Sequence, residues 1–146
     1  MFDSDAKIDW TKFTSARGAL GADFVRILGY FREDGEKSIA ALEAAMRSKS
    51  AVAMILPAHT LKGESRQFGA EGIGDLAEFI ESHARDCVER HDDPDQALAA
   101  VVKLRPIFTA TMEAFGRETN PLAQRRPVGG GFGRKVEAAN HGFGRI

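Results

Sequence analysis

Cysteine is nearly absent from this chain, which has one, Cys87, among its 146 residues. An internal disulfide is therefore excluded, and such sparse use of cysteine is typical of a reducing compartment. Long hydrophobic runs are absent as well, since no stretch approaches the roughly 18 apolar residues of a membrane-spanning helix. The first seven residues lack the basic and then apolar order of a signal peptide. We therefore expect a cytoplasmic protein that does not interact with membranes.

Three kinds of catalytic motif are also missing. The sequence has no GxxxxGK[ST] phosphate-binding loop, no GxGxxG dinucleotide motif and no Ser/His/Asp arrangement of a hydrolase. These absences argue against an ATP site and against the corresponding enzyme classes. We expect no cofactor of the chain's own and no catalysis by the chain alone.

The composition is that of a globular domain with a short basic extension. Hydrophobic residues make up 43% and charged residues 28% of the chain, which is typical of one domain with a substantial core. The net charge of −1 conceals an asymmetry, because residues 121–146 contain five Lys or Arg and one Glu. We predict a domain over residues 1–120 and a basic Gly-rich tail over 121–146. The Arg, Gly and Phe of this tail are compatible with nucleic-acid binding, but a solubilising or packing role is favoured and we expect no nucleic-acid partner.

Apolar residues recur at helical spacing in four long stretches of the domain. The longest stripe has spacings of four, three, four, four, three and four residues and consists of Phe24, Leu28, Phe31, Gly35, Ile39, Leu42 and Met46. Before it, Asp9 is placed to cap a short helix. The pattern predicts an all-α fold, an antiparallel four-helix bundle with a short extra N-terminal helix.

The last two helices of the predicted bundle follow from similar stripes. The fourth helix has a buried stripe that ends at Cys87 and Val88, and the fifth has one that begins at Leu98. Asp93, with Pro94 and Gln96 after it, forms the pattern of a capping box and predicts that the fifth helix starts there.

The third helix has an unusual order of residues between Ala58 and Gly69. At about 100° per residue, His59 lies about 200° from the apolar Leu61 and therefore faces away from the core. Lys62 lies about 60° to one side of His59, and Gly63 about 40° to the other. An exposed imidazole beside an ammonium group and a missing side chain favours the close approach of an anion to the ring nitrogen.

This stretch, AHTLKGESRQFGA, resembles the signature of histidine phosphotransfer (HPt) domains, His-x-x-Lys-Gly with a second glycine ten residues after the histidine. The resemblance extends from about Ile8 to Phe115. It implies that His59 accepts a phosphoryl group, that Lys62 stabilises its charge and that Gly63 lets the partner approach. It further implies a monomeric phosphocarrier in a phosphorelay, whose partners are response-regulator receiver domains and a sensor histidine kinase. The receiver domain would supply the Mg²⁺ and the acceptor aspartate.

In HPt domains the position 22 residues after the histidine tends to hold a polar side chain beside the imidazole, and Glu81 occupies it here. A carboxylate at this position resembles the chemotaxis-kinase branch of the family. If it accepts a hydrogen bond from Nδ1–H, it fixes the tautomer that leaves Nε2 as nucleophile. The alternative for Glu81 and Arg85 is a solvated ion pair between residues four apart.

An apolar surface is predicted beside the histidine. Val52, Ile55 and Leu56 lie within about 60° of His59 on the helical wheel, on the face turned away from the core stripe. Large apolar residues there suggest a docking surface for a partner, rimmed by polar residues. The predicted partner-binding set is Val52, Ile55, Leu56, Arg66, Gln67 and Arg85. The alternative is that the N-terminal helix or the tail covers this surface.

Two further alternatives remain open. His83, Cys87 and His91 recur four residues apart, which would suit zinc, but a buried cysteine flanked by surface histidines is favoured and we expect no metal site. As for function, the chain is either a relay intermediate, a domain phosphorylated directly by the catalytic domain of a histidine kinase, or a helical interaction module without phosphoryl chemistry.

Overall fold

The computed structural model describes residues 6–120, which are predominantly helical and contain no strand. Short 3₁₀ turns at Gly21–Asp23 and Asp95–Ala97 precede the second and fifth of the long helices. The described residues form, in chain order, α1 (Trp10–Leu20), α2 (Phe24–Arg47), α3 (Ala51–Gln67), α4 (Glu71–Arg90) and α5 (Leu98–Thr119). The predicted all-α helical bundle is confirmed. Within residues 6–120, no helix combines the length and the apolar character needed to cross a membrane.

The chain divides into two units after Thr111, and the helix contacts that follow lie within the first unit. In the second unit, Met112 and Phe115 are buried and the Thr119 hydroxyl donates to the Phe115 carbonyl at 3.2 Å. The predicted tail over 121–146 lies outside the described residues. The domain boundary at residue 120 therefore stays a prediction.

Local sequence sets the starts of α1 and α3. The Asp9 carboxylate accepts hydrogen bonds from the backbone N–H groups of Thr11 and Lys12 at 3.0 and 3.1 Å, so it caps α1 as predicted. The Ser50 hydroxyl caps α3 by accepting from the N–H of Ala53 at 3.2 Å.

The start of the fifth helix was predicted wrongly. Asp93 does accept a hydrogen bond from the N–H of Asp95 at 3.2 Å, but the chain then closes a 3₁₀ turn, with Ala97 N–H donating to the Pro94 carbonyl at 2.9 Å. This tighter turn displaces the α-helical start to Leu98, so the predicted capping box with Gln96 does not form. Leu98, predicted to be buried, is 52% exposed.

A line of phenylalanine rings joins three helices of the first unit to the turn that follows α3. Phe13 of α1 meets Phe24 of α2 edge to face at 5.3 Å between centroids, and Phe24 meets Phe68 at 5.9 Å. Phe31 stacks on Phe68 at 5.3 Å and contacts Phe108 of α5 at 5.9 Å. These contacts attach the short N-terminal helix to the bundle and hold α2 against the end of α3 and against α5.

A tight turn makes α3 and α4 antiparallel neighbours. Only Phe68, Gly69 and Ala70 separate the two helices, and Gly69 has φ +81°, a left-handed conformation that favours glycine. The backbone N–H of Asp9 donates to the Gly69 carbonyl at 2.8 Å, so the start of α1 is bound to the same turn. This hairpin places His59 of α3 beside Glu81 of α4.

Candidate functional site

His59 and Glu81 form the centre of the candidate site. The His59 side chain is 59% exposed, whereas that of Glu81 is 8% exposed. His59 Nδ1 lies 3.1 Å from Glu81 Oε2, within hydrogen-bond distance. An ionised carboxylate can only accept, so this contact favours the neutral tautomer that carries its hydrogen on Nδ1. In that tautomer, Nε2 of the exposed ring has the lone pair.

Two cations share the same carboxylate. Lys62 Nζ lies 3.0 Å from Glu81 Oε1, and Arg85 donates to Oε2 from Nε at 3.1 Å and from Nη2 at 2.8 Å. Burial raises the pKa of Glu81, but the hydrogen bonds with Arg85 and His59 and the ion pair with Lys62 outweigh burial and hold this pKa at about 2. Glu81 is therefore ionised at any physiological pH.

Gly63 provides open space next to the histidine. A Cβ built on Gly63 would meet no atom within 4 Å, so packing inside this unit does not require a glycine. Alanine would make the exposed helix more stable by about 1 kcal/mol. Neither packing nor helix stability therefore explains a glycine at this position. The absence of a side chain leaves open space on the surface of α3 next to His59.

Arg66 is bound by three carboxylates of α4. It donates to Glu71 at 2.5 Å, to Glu78 at 2.6 Å and to Asp75 at 3.2 Å. Burial lowers the pKa of Arg66, but the three carboxylates outweigh burial and raise it. Arg66 was predicted to contact a partner, and any such contact would compete with these ion pairs, which fasten α3 to α4.

The apolar surface predicted beside His59 is exposed. Val52 is 67% and Leu56 70% exposed, while Ile55 is partly buried. No described residue covers Val52 or Leu56, so the N-terminal helix over residues 10–20 does not shield them. Gln67 is exposed at the end of the same helix.

Val88 was predicted to be buried but is 39% exposed. It lies about 60° from the middle of the core stripe of α4, on the side of Glu81. Val88 is seven residues after Glu81 and Val52 is seven residues before His59, so antiparallel pairing predicts that the two valines lie at the same level of the hairpin. The wheel of α3 alone does not reveal this second exposed valine.

A pair of carboxyl groups, Glu64 and Asp34, interacts on another face of α3, and no pattern in the sequence predicted it. Glu64 lies about 140° around α3 from His59 and interacts with Asp34 of α2. Its Oε1 is buried and, among the described residues, has no hydrogen-bond partner. Burial first, and then the charge and hydrogen bond of Asp34, raise the pKa of Glu64 to about 7.

The His83, Cys87 and His91 series does not converge on one point. His83 Nε2 lies 3.4 Å from Cys87 Sγ, but His91 is the exposed left-handed residue that ends α4, with φ +59°. In residues 6–120, no group of three His, Cys, Asp or Glu side chains is placed to hold a metal ion. Burial raises the pKa of Cys87, as expected for a packed thiol.

The part of the sequence that forms the site matches a known protein family. The family model for the Hpt domain matches residues 26–115, more than half of the chain, and this span includes His59, Lys62, Gly63 and Glu81. Neither the curated proteins nor the solved structures gave a significant match. The chain therefore belongs to the Hpt domain family, whose members serve in phosphotransfer in two-component signalling.

Proposed function

We propose that this protein is a relay intermediate that accepts a phosphoryl group on His59 from the aspartyl phosphate of one receiver domain and passes it to another. The observation that carries this proposal is the exposed imidazole whose Nδ1 lies 3.1 Å from the buried Glu81 carboxylate. That arrangement favours Nε2 as the attacking atom. The chain has no ATP motif, so its phosphoryl group has to come from a partner.

The proposed transfer is an in-line displacement at phosphorus. Nε2 of His59 forms the P–N bond while the P–O bond to the partner's aspartate breaks, and the aspartate leaves as a carboxylate. Because Nδ1 keeps its hydrogen, the imidazole becomes positively charged as the new bond forms. The Glu81 carboxylate, already ionised and in contact with Nδ1, stabilises this charge.

The neighbouring residues have separate parts in the proposal. Lys62 stabilises the charge on the phosphoryl oxygens, for which its ammonium group has to leave Glu81 Oε1, now 3.0 Å away. Gly63 lets the partner's site close over the histidine. The Mg²⁺ and the reacting aspartate belong to the receiver domain, so this chain provides half of a complete site.

The receiver domain would dock on the apolar surface beside His59. Its members in the proposal are Val52, Ile55 and Leu56 of α3, with Gln67, Arg66 and Arg85 at its polar rim. An exposed apolar patch with charged residues around it is the usual composition of a transient protein interface. The exposure of Val52 and Leu56 supports this placement.

Direct phosphorylation by a histidine kinase catalytic domain is the second candidate function. A carboxylate rather than an amide beside the histidine favours it, since Glu81 is the feature that resembles the chemotaxis-kinase branch. The reaction at Nε2 would be the same, with ADP in place of aspartate as the leaving group.

The test is incubation of the full chain with a phosphorylated receiver and, separately, with a kinase core and ATP. The proposal expects acid-labile label from the receiver, and none from either donor on His59→Gln. The variant should keep the helical content and melting temperature of the wild type, because the side chain is exposed. Labelling by the kinase core but not by the receiver would favour the second candidate. If neither donor labels the chain, the remaining function is that of a helical interaction module without phosphoryl chemistry.

A further inference from the structure

Glu81 Oε2 is contacted from two helices. It lies 3.1 Å from Nδ1 of His59, which is on α3. It also accepts two hydrogen bonds from Arg85, which is on α4, at 3.1 and 2.8 Å. The other oxygen, Oε1, lies 3.0 Å from Lys62 Nζ. Each oxygen of the carboxylate therefore has its own partners, and the oxygen that faces the imidazole is the one that Arg85 holds.

The contact between Arg85 and Glu81 is local to α4. The two residues are four apart on one helix, so Arg85 can orient the carboxylate without any help from α3. Exposed pairs of this kind contribute little to stability, but here the carboxylate is 8% exposed while the guanidinium is 56% exposed. A buried carboxylate oxygen with two donors from one planar group has little freedom to rotate.

Loss of Arg85 would leave Lys62 as the nearest cation to the carboxylate. Glu81 would then turn toward Lys62, and the hydrogen bond from His59 Nδ1–H would weaken. An exposed imidazole without a fixed acceptor exchanges between its two tautomers, and the one with hydrogen on Nε2 has no lone pair there to attack phosphorus. The population of the reactive tautomer would fall.

We infer that Arg85 is a positioning residue, which holds Oε2 of Glu81 against Nδ1 of His59 and so keeps Nε2 as the attacking nitrogen. This inference rests on the proposed phosphoacceptor role of His59. It differs from a docking role for Arg85, because it applies to the free chain and to donors that have no protein surface.

The experiment uses the full chain as wild type, Arg85→Ala and Arg85→Lys, with phosphoramidate as donor. In this reaction the P–N bond to ammonia breaks as the bond to His59 Nε2 forms. We expect Arg85→Ala to slow phosphorylation roughly threefold to tenfold, because the hydrogen bond from His59 Nδ1–H to Glu81 is weakened and not lost. Arg85→Lys should restore part of the rate. ¹⁵N chemical shifts of the unphosphorylated ring should show a smaller fraction of the Nδ1–H tautomer in Arg85→Ala.

Two controls isolate the effect. Arg90→Ala removes another exposed arginine of α4, one that pairs with Asp92, and should leave both the rate and the ring shifts unchanged. In a Glu81→Ala background, Arg85→Ala should have no further effect on either, because the positioning acts through the carboxylate.

The inference is overturned if Arg85→Ala keeps the wild-type tautomer and the wild-type rate with phosphoramidate. A raised dissociation constant for a receiver in that same variant would assign Arg85 to docking alone. Should the wild-type chain take no phosphoryl group from any donor, the proposed function fails, whereas the ring shifts still decide whether Arg85 positions the imidazole.

Discussion

The Glu81 carboxylate is the residue on which the candidate site depends. It is buried, ionised and in contact with one imidazole and two cations. A lone buried carboxylate would draw a proton onto a neighbouring histidine, whereas a carboxylate that is already paired can accept a hydrogen bond without adding a full uncompensated charge. The arrangement is suited to fix a tautomer while leaving the ring able to react.

Lys62 is predicted to act on the transition state more than on binding. We expect Lys62→Ala to slow phosphoryl transfer at saturating receiver while it raises the dissociation constant only modestly, because charge is redistributed mainly during the reaction. Single-turnover transfer rates, with the dissociation constant measured separately, check this. Equal transfer rates for variant and wild type at saturation would remove Lys62 from the site.

Sequence reasoning predicted which residues meet at the site but not all of their contacts. The wheel of one helix was sufficient to bring His59, Lys62 and Gly63 together, and the resemblance to HPt domains implied that Glu81 lies beside them. The ion pair of Lys62 with Glu81 depends on side-chain conformation across two helices, which a single wheel does not contain. The pairing of Glu64 with Asp34 needs the register of α2 against α3, which no local pattern gives.

At the scale of helices, the glycines of α2 differ in their surroundings. A Cβ on Gly35 would lie 2.5 Å from a ring carbon of Phe108, whereas one on Gly29 would meet no atom within 4 Å. Packing therefore explains the glycine at position 35, because the Phe108 ring of α5 occupies the space that a side chain there would need.

These two glycines form a matched pair for a stability measurement. We expect Gly35→Ala to lower the free energy of unfolding by about 1–3 kcal/mol through overpacking, and Gly29→Ala to raise it by up to about 1 kcal/mol through helix propensity. Urea unfolding of both variants tests this. If both substitutions stabilised the protein, the contact between Gly35 and Phe108 would be wrong.

The apolar surface of α3 makes a prediction about docking. Leu56→Asp should raise the receiver dissociation constant at least about tenfold, or about 1.4 kcal/mol, with little change in stability, because the side chain is 70% exposed. Val102→Asp is the matched control, since Val102 is 62% exposed on α5. Calorimetric titration with a receiver measures both. Equal losses of affinity in the two variants, or a sharp fall in the melting temperature of Leu56→Asp, would place the docking surface elsewhere.

Helix order and the core stripes followed from apolar periodicity, but helix ends and edges of the stripes did not. The fifth helix starts at Leu98 because a 3₁₀ turn forms over Asp95–Ala97 in place of the predicted capping box at Asp93. The same residues suit both hydrogen-bonding patterns, so the sequence alone does not decide between them. Val88 lies at the edge of its stripe, where periodicity cannot separate a buried valine from an exposed one.

Across the whole molecule, carboxyl groups respond to pH in opposite directions. Interactions with cations lower the pKa of Glu43, Glu71, Asp75 and Glu81, so their contributions to stability are lost below about pH 4.5 as they become protonated. Glu64 is the opposite case, since its folded pKa is about 7 against 4.5 as its ordinary value. The folded state therefore binds more protons between these two pH values, and the free energy of unfolding falls as pH rises through this window.

Glu64→Gln tests this pH dependence. Between pH 5 and pH 8 we expect the wild type to lose about 1 kcal/mol more unfolding free energy than this variant, after allowance for the partial exposure of Glu64. Urea unfolding at several pH values measures the difference. Glu33→Gln, on the exposed face of α2, should keep the wild-type slope, and parallel slopes for wild type and Glu64→Gln would contradict the account.

The position of the phosphoryl group on the imidazole tests the central claim most directly. The wild-type chain is phosphorylated with a phosphorylated receiver or with phosphoramidate. ³¹P and ¹⁵N NMR then determine which ring nitrogen carries phosphorus. We expect phosphorus on Nε2 of His59, with Nδ1 still protonated and donating to Glu81. Phosphorus on Nδ1, or an acid-labile phosphoryl group on another residue, would contradict it.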